Sequence, residues 1–199
     1  MPDPFRYPAQ VHVRRHGPSG YKHHRGFGPW LRDEFEFRCV FCLRREQWDR
    51  ASSLEVDHFQ PTSHKPSGKL DYDNLIYVCA RCNAAKGART VLSPTQGLLD
   101  ETAFVEQEGQ LIGHTAAARK LIGEMRLNHP KLIHFRRLWL EIIAMASRFD
   151  PDLYRRLMGY PDDLPDLSHM RPPKGNTRPD GVSQSHFARR ERGELPTIY

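Results

Sequence analysis

The 199-residue sequence predicts an α+β fold: a strand–loop–strand–helix unit clamped at both ends by cysteines, followed by a β-hairpin and a helical hairpin. Three observations predict it. The cysteines are Cys39, Cys42, Cys79 and Cys82, in the two C-x2-C pairs "CVFC" and "CARC". Between the pairs, the short β-prone runs "LEVDH" and "NLIYVC" flank a loop with two prolines and a glycine. After residue 94, a hairpin pattern gives way to two stretches with apolar residues at helical spacing.

Residues 1–25 mix Pro, Gly, His and basic residues without a period and are expected to form an irregular, weakly ordered arm. Residues 26–93 are expected to form the core domain. "WLRDEFEFRCVFC" leads into the first cysteine pair as a short helix or strand. A cytosolic chain keeps its thiols reduced, so the cysteines are not expected in disulfides. Two C-x2-C knuckles supply the four thiolates of a tetrahedral zinc site, whereas a redox centre needs only one pair. Between Cys42 and Cys79 lie 36 residues, where compact zinc ribbons use roughly 15 to 20. The metal therefore clamps the two ends of an inserted unit.

Within that unit, "LRREQWDRASS" is polar, with Trp48 as its buried anchor. "SLEVDHF" reads as a strand because Leu54 and Val56 alternate with polar neighbours. "QPTSHKPSGKLDYD" reads as a loop, with His64 exposed. "ARCNAAKGART" starts a helix over the second knuckle, and Gly87 marks its end. Residues 94–160 add "AFVEQEGQLIG", a hairpin turning at Glu108-Gly109, then two helices. The first places Ala117, Leu121 and Met125 on one face, with Ala118 and Ile122 beside them. Pro130 opens the second, which places Leu132, Phe135, Trp139, Ile142 and Ala146 on one face. The two helices are expected to pair as a hairpin against the core or a second subunit. Residues 161–199 are rich in Pro, Asp, Arg and Gly, and read as a largely disordered tail.

Hydrophobic residues make up 38% of the chain, and the net charge is +6. That charge favours a polyanionic partner. The longest apolar stretch, "LWLEIIAMA", is short and carries Glu141, so no membrane partner is expected. "MPDPFRYPAQ" contains no apolar signal core, so the default location is the cytoplasm.

In order, "CVFC", "LEVDHFQP", "DNLIYVC" and "CNAAKG" resemble the zinc-knuckle branch of the HNH endonucleases over about residues 35 to 90. The resemblance implies a ββα-metal fold with structural Zn2+ and a catalytic Mg2+ or Mn2+. It implies that Asp57 binds the catalytic cation and that His58 is the general base. Asn74 would be the central Asn that braces the loop so that the imidazole points correctly. The third letter of the family motif is often His, directly after the last cysteine. Here it is Asn83, an H-N-N variant whose amide oxygen still suits a hard cation but binds it more weakly. Proteins of this look serve in restriction and phage defence, mobile elements and packaging.

The chemistry is consistent with those roles. A neutral His takes a proton from water near pH 7, since its reference pKa is about 6.5. A cation such as Mg2+ wants oxygen ligands and takes one or two from protein. Adjacent strand residues point to opposite faces, so Asp57 and His58 need the bend before Pro61 to serve one site. Lys86, three residues after Asn83 on the same helix side, is a candidate to hold a substrate phosphate. Arg81 and Arg89 are candidates for backbone contacts that set affinity rather than sequence choice. The expected partner is DNA, with RNA left open, and the 115–148 helices are left to pair with a second copy or another subunit such as an ATPase. The alternative is a non-catalytic zinc module that binds nucleic acid or protein. It would keep the four cysteines without needing the Asp57-His58 pair.

Overall fold

A computed structural model describes residues 3–49, 54–100 and 103–199; the last part of the polar segment after Trp48, residues 50–53, lies outside them. Helix α1 (Gly28–Glu34) precedes the first knuckle. Strand β1 (Leu54–His58) pairs antiparallel with β2 (Leu75–Cys79), so that Asp57 faces Ile76 and His58 faces Leu75 across the ladder. Helix α2 (Ala80–Lys86) follows at once and ends at Gly87, whose φ of +54° suits a glycine. This is the strand–loop–strand–helix order read from the sequence. Every residue of β2 is buried, as a strand covered on both faces requires.

The next part begins with the short helix α3 (Pro94–Gly97). Strands β3 (Ala103–Val105) and β4 (Leu111–Gly113) form the expected hairpin, with Gly109 at φ +81° in its turn. Helix α4 (Ala116–Glu124) is N-capped by the Thr115 hydroxyl, which accepts from the Ala118 amide. Its buried residues are Ala118, Leu121 and Ile122, and Ala117 faces solvent. Helix α5 (Pro130–Phe149) carries Pro130 in its first turn. Its buried positions are Leu132, Arg136, Ile143 and Ala146, while Ile142 stands half exposed. The apolar period alone could not find Arg136. Its guanidinium donates to the carbonyls of Gly109 at 2.6 Å and Leu127 at 2.8 Å, fastening both hairpin turn and α4 exit to α5. The main helix partner of α5 is α6 (Pro151–Met158), which turns back at Asp150, whereas α4 lies against β4 and α3. The helical hairpin is thus α5–α6 and not the pair flanking Pro130.

The arm and the tail differ from the expectation of loose ends. The arm is irregular, yet Phe5 is 0% exposed and the Tyr7 hydroxyl donates to the Phe41 carbonyl at 2.6 Å. The tail buries Leu164 and Leu167 and forms helix α7 (His186–Glu191). The two segments meet, with Pro18 bridging Asn176 and the Asn176 side chain accepting from the Gly17 amide at 3.1 Å. Their shared anchor is Asp33 at the end of α1, 0% exposed. One carboxylate oxygen meets His16 Nε2 at 2.8 Å, and the other meets His186 Nδ1 at 3.0 Å and accepts from the His186 amide at 2.7 Å. Glu34 beside it accepts from the amides of Arg15 and His16 and from the Tyr72 hydroxyl. A chain with few apolar residues holds its ends through buried carboxylates, a device that composition does not reveal.

Among the described residues, no helix is long and apolar enough to cross a membrane.

Candidate functional site

The four cysteines converge. Their sulfurs all lie within 4.8 Å of one another, and every one is buried. Cys42 and Cys79 sulfurs are 3.7 Å apart. A tetrahedral zinc with bonds of about 2.3 Å places its sulfurs about 3.8 Å apart, so the spacing fits that ion. The knuckles are shaped for closeness: the Leu43 amide donates back to the Cys39 carbonyl, Leu43 sits at φ +59°, and the Cys79 sulfur accepts from the Cys82 amide. The Val40 amide donates to the Tyr77 carbonyl at 3.0 Å, tying the first knuckle to β2. Burial, reinforced by neighbouring sulfurs, holds the Cys39 thiol well above the ordinary range. Four thiolates packed this closely need a cation between them. The cluster can hold a metal ion.

Strand β1 carries the Asp57-His58 pair. Its alternation sends Glu55 and Asp57 towards α2, where Asn83 Nδ2 donates to Glu55 Oε1 at 3.0 Å and Lys86 Nζ lies 2.9 Å from Asp57 Oδ2. The other face carries Val56, 3.9 Å from where a Cβ on Gly28 would stand, and His58, whose ring centroid is 4.9 Å from that of His24. The bend expected to bring Asp57 and His58 together starts at Phe59, after both of them. Asp57 instead borders the edge of β1 away from β2. An open cleft of about 520 Å³ runs along that edge, lined by Glu55, Val56 and Asp57, by Asn83 from one face, and by His24 and Arg25 from the other; His58 is not among the lining residues.

The loop between the strands is built around Asn74, which is 4% exposed. Its Oδ1 accepts from the Gln60 amide at 2.8 Å, and its Nδ2 donates to the carbonyls of Gln60 and Gly68, each at 3.1 Å. A Cβ on Gly68 would come within 2.8 Å of Asn74 Nδ2, so the approach requires a glycine. The neighbouring Lys69 carbonyl lies 2.9 Å from His58 Nε2. A carbonyl only accepts, so Nε2 carries the ring hydrogen and Nδ1 of the neutral ring keeps its lone pair. Asn74 therefore shapes the loop that sets the tautomer of His58.

Of the three basic residues singled out in the sequence, Lys86 and Arg89 make contacts within the protein. Lys86 points inward, with 2% of its side chain exposed, and neutralises Asp57 instead of reaching into solvent. Arg89 donates to the last carbonyls of α2, at Ala85 and Lys86, and to the Glu124 carbonyl at 3.1 Å, so its guanidinium joins α2 to α4. Arg81 is half-buried. His64 is exposed as expected, 3.2 Å from the Thr90 hydroxyl.

Sequence reasoning missed His24 and Glu55. His24 lies in a one-turn helix, residues 24–27, anchored by the fully buried Phe27. Burial, then the neighbouring His58 and Arg25, hold the His24 pKa below its ordinary value. No periodicity marks it; only the packing of the arm against β1 brings it to the cleft. Glu55 lay in plain view in "LEVDH", two residues before Asp57 and hence on the same strand face.

A family model for the HNH endonuclease matches residues 39–89 of the 199. The match begins at the first knuckle cysteine and ends just past α2, so it spans the clamp, both strands and the cleft edge. No curated protein and no solved structure matches the chain.

Proposed function

Since residues 39–89 form an HNH domain, we propose that the protein is a metal-dependent endonuclease that hydrolyses phosphodiester bonds in DNA. The observation that carries this reading is the Asn74–loop–Lys69–His58 relay beside a cleft edged with Asp57, Asn83 and Glu55. A purely structural zinc module has no need for a buried asparagine that sets a histidine tautomer. The cysteine cluster is assigned Zn2+, and the cleft Mg2+ or Mn2+.

The donor set at the cleft fits a hard cation. Asp57 and Glu55 offer carboxylate oxygens, and Asn83, whose amide nitrogen is given to Glu55, has its amide oxygen left to offer. Asp57 is 18% exposed with the Lys86 ammonium 2.9 Å from one of its oxygens, so a metal ion there would share the carboxylate with that ammonium. A bound divalent cation would neutralise charge on the phosphate and on the departing oxygen. His58, its Nε2 occupied by Lys69, presents Nδ1 to take the proton from the attacking water. The products would carry 5′-phosphate and 3′-hydroxyl ends. Arg25, at the cleft rim, and the net charge of +6 support a polyanionic substrate.

Supercoiled plasmid incubated with the zinc-loaded protein tests this. Nicking is expected with Mg2+ or Mn2+ and none without added cation. The alternative, a binding module, would retard the plasmid in a gel and leave it supercoiled under every cation tried.

A further inference from the structure

Helix α5 carries an apolar stripe that the fold does not use. Leu138, Met145 and Phe149 are 44%, 64% and 71% exposed, and half-exposed Ile142 lies in line with them. The core-facing residues Leu132, Arg136, Ile143 and Ala146 occupy a different side. At 100° per residue, the stripe lies roughly 110° around the helix from that side. Single exposed apolar residues are ordinary, but a row of four is not. The spacing 138, 142, 145, 149 alternates four and three, which is the repeat of a two-stranded helical seam.

The charges beside the stripe say what fits it. Glu141 and Arg148 lie seven residues apart along the same edge. If a second α5 runs antiparallel about a two-fold axis, Leu138 meets Phe149 of the second copy and Ile142 meets its Met145. Glu141 then faces Arg148 of the second copy, twice by symmetry. A parallel pair sets Glu141 against Ala146 and leaves both charges without a partner. One segment thus supplies both halves of an antiparallel interface. We propose that α5 docks a second copy of this chain, antiparallel, through Leu138, Ile142, Met145 and Phe149, with Glu141–Arg148 pairs at the edges. The proposal does not depend on the nuclease reading.

A seam this short is at the small end of stable interfaces, so monomer and dimer should exchange at micromolar concentrations. Sedimentation of the full-length, zinc-loaded protein tests it. The weight-average mass should climb with concentration from 23.1 kDa towards twice that value. The Met145→Glu/Phe149→Glu double variant should stay at 23.1 kDa throughout. Because both side chains are exposed, that variant should keep its zinc and its circular dichroism. Glu141→Arg and Arg148→Glu should each raise Kd by roughly three- to tenfold, and the two together should restore it. A wild-type protein that remains monomeric at hundreds of micromolar overturns the proposal. So does a dimer indifferent to the double glutamate variant. A dimer broken by the glutamates but unmoved by both single charge reversals overturns the antiparallel register.

Discussion

Asn74 directs all its side-chain hydrogen bonds to the loop that faces His58, accepting from the Gln60 amide and donating to the Gln60 and Gly68 carbonyls. Asn74→Ala removes all three bonds and strands buried partners, which should cost about 2–4 kcal/mol. It should also lower nicking, because Lys69 no longer fixes the ring. Thermal unfolding and plasmid nicking, compared at equal zinc content, check both effects. Asp57 differs in kind. Its removal leaves the Lys86 ammonium buried without an anion, a loss that measures about 3–5 kcal/mol in comparable pairs. Asp57→Ala should therefore unfold at lower denaturant as well as lose activity, and the Asp57→Ala/Lys86→Met double variant should recover much of the stability but none of the nicking. At this scale the sequence was readable for Asp57, His58, Asn74 and Asn83, because the motif spaces them. It was misleading for Lys86, whose helical position promised an exposed cation and whose ammonium turns inward to Asp57. Arg89 stays exposed, but its guanidinium is taken up by the carbonyls of Ala85, Lys86 and Glu124.

Among the elements, the knuckles and the two-stranded ribbon were legible because covalent spacing and strand alternation are local. Their stability should be metal-linked: Cys79→Ser should lose zinc and unfold under conditions where the parent is folded, measured by metal content and circular dichroism. The helices were legible in existence and less so in partnership. Ile142 and Ile143 are adjacent and equally apolar, and it is Ile143 that faces the core, on the side of Leu132, Ala146 and Arg136, whose guanidinium is held by Gly109 and Leu127. That choice turns Ile142 into the side stripe.

For the whole molecule, the arm, α1 and the tail are joined through two buried acids. Burial opposes ionisation of Asp33, but its bonds to His16 and His186 outweigh that and hold its pKa well below the usual carboxylate range. Burial likewise opposes ionisation of Glu34, and bonds to His12 and the Arg15 amide bring its pKa down to about 2. Because both values are depressed in the folded state, their stabilisation is complete above the unfolded carboxylate pKa of about 4. It should be lost as pH falls below that, towards 2. Urea midpoints should drop between about pH 4.5 and pH 2.5, and His186→Ala should lower the midpoint at neutral pH, where Asp33 would lose its bond to the imidazole ring. No sequence pattern announces this clamp, because its partners stand 153 residues apart and depend on the finished fold.

The assignment of the site turns most directly on His58, which sits half-buried at the end of β1 with its ring Nε2 2.9 Å from the Lys69 carbonyl. The measurement is the single-turnover rate of plasmid nicking in Mn2+ by zinc-loaded His58→Ala beside the parent. The parent should nick, and the variant should fold, keep its zinc, bind DNA equally and nick slower by roughly a hundredfold or more. A variant that nicks at the parental rate would contradict the site described here.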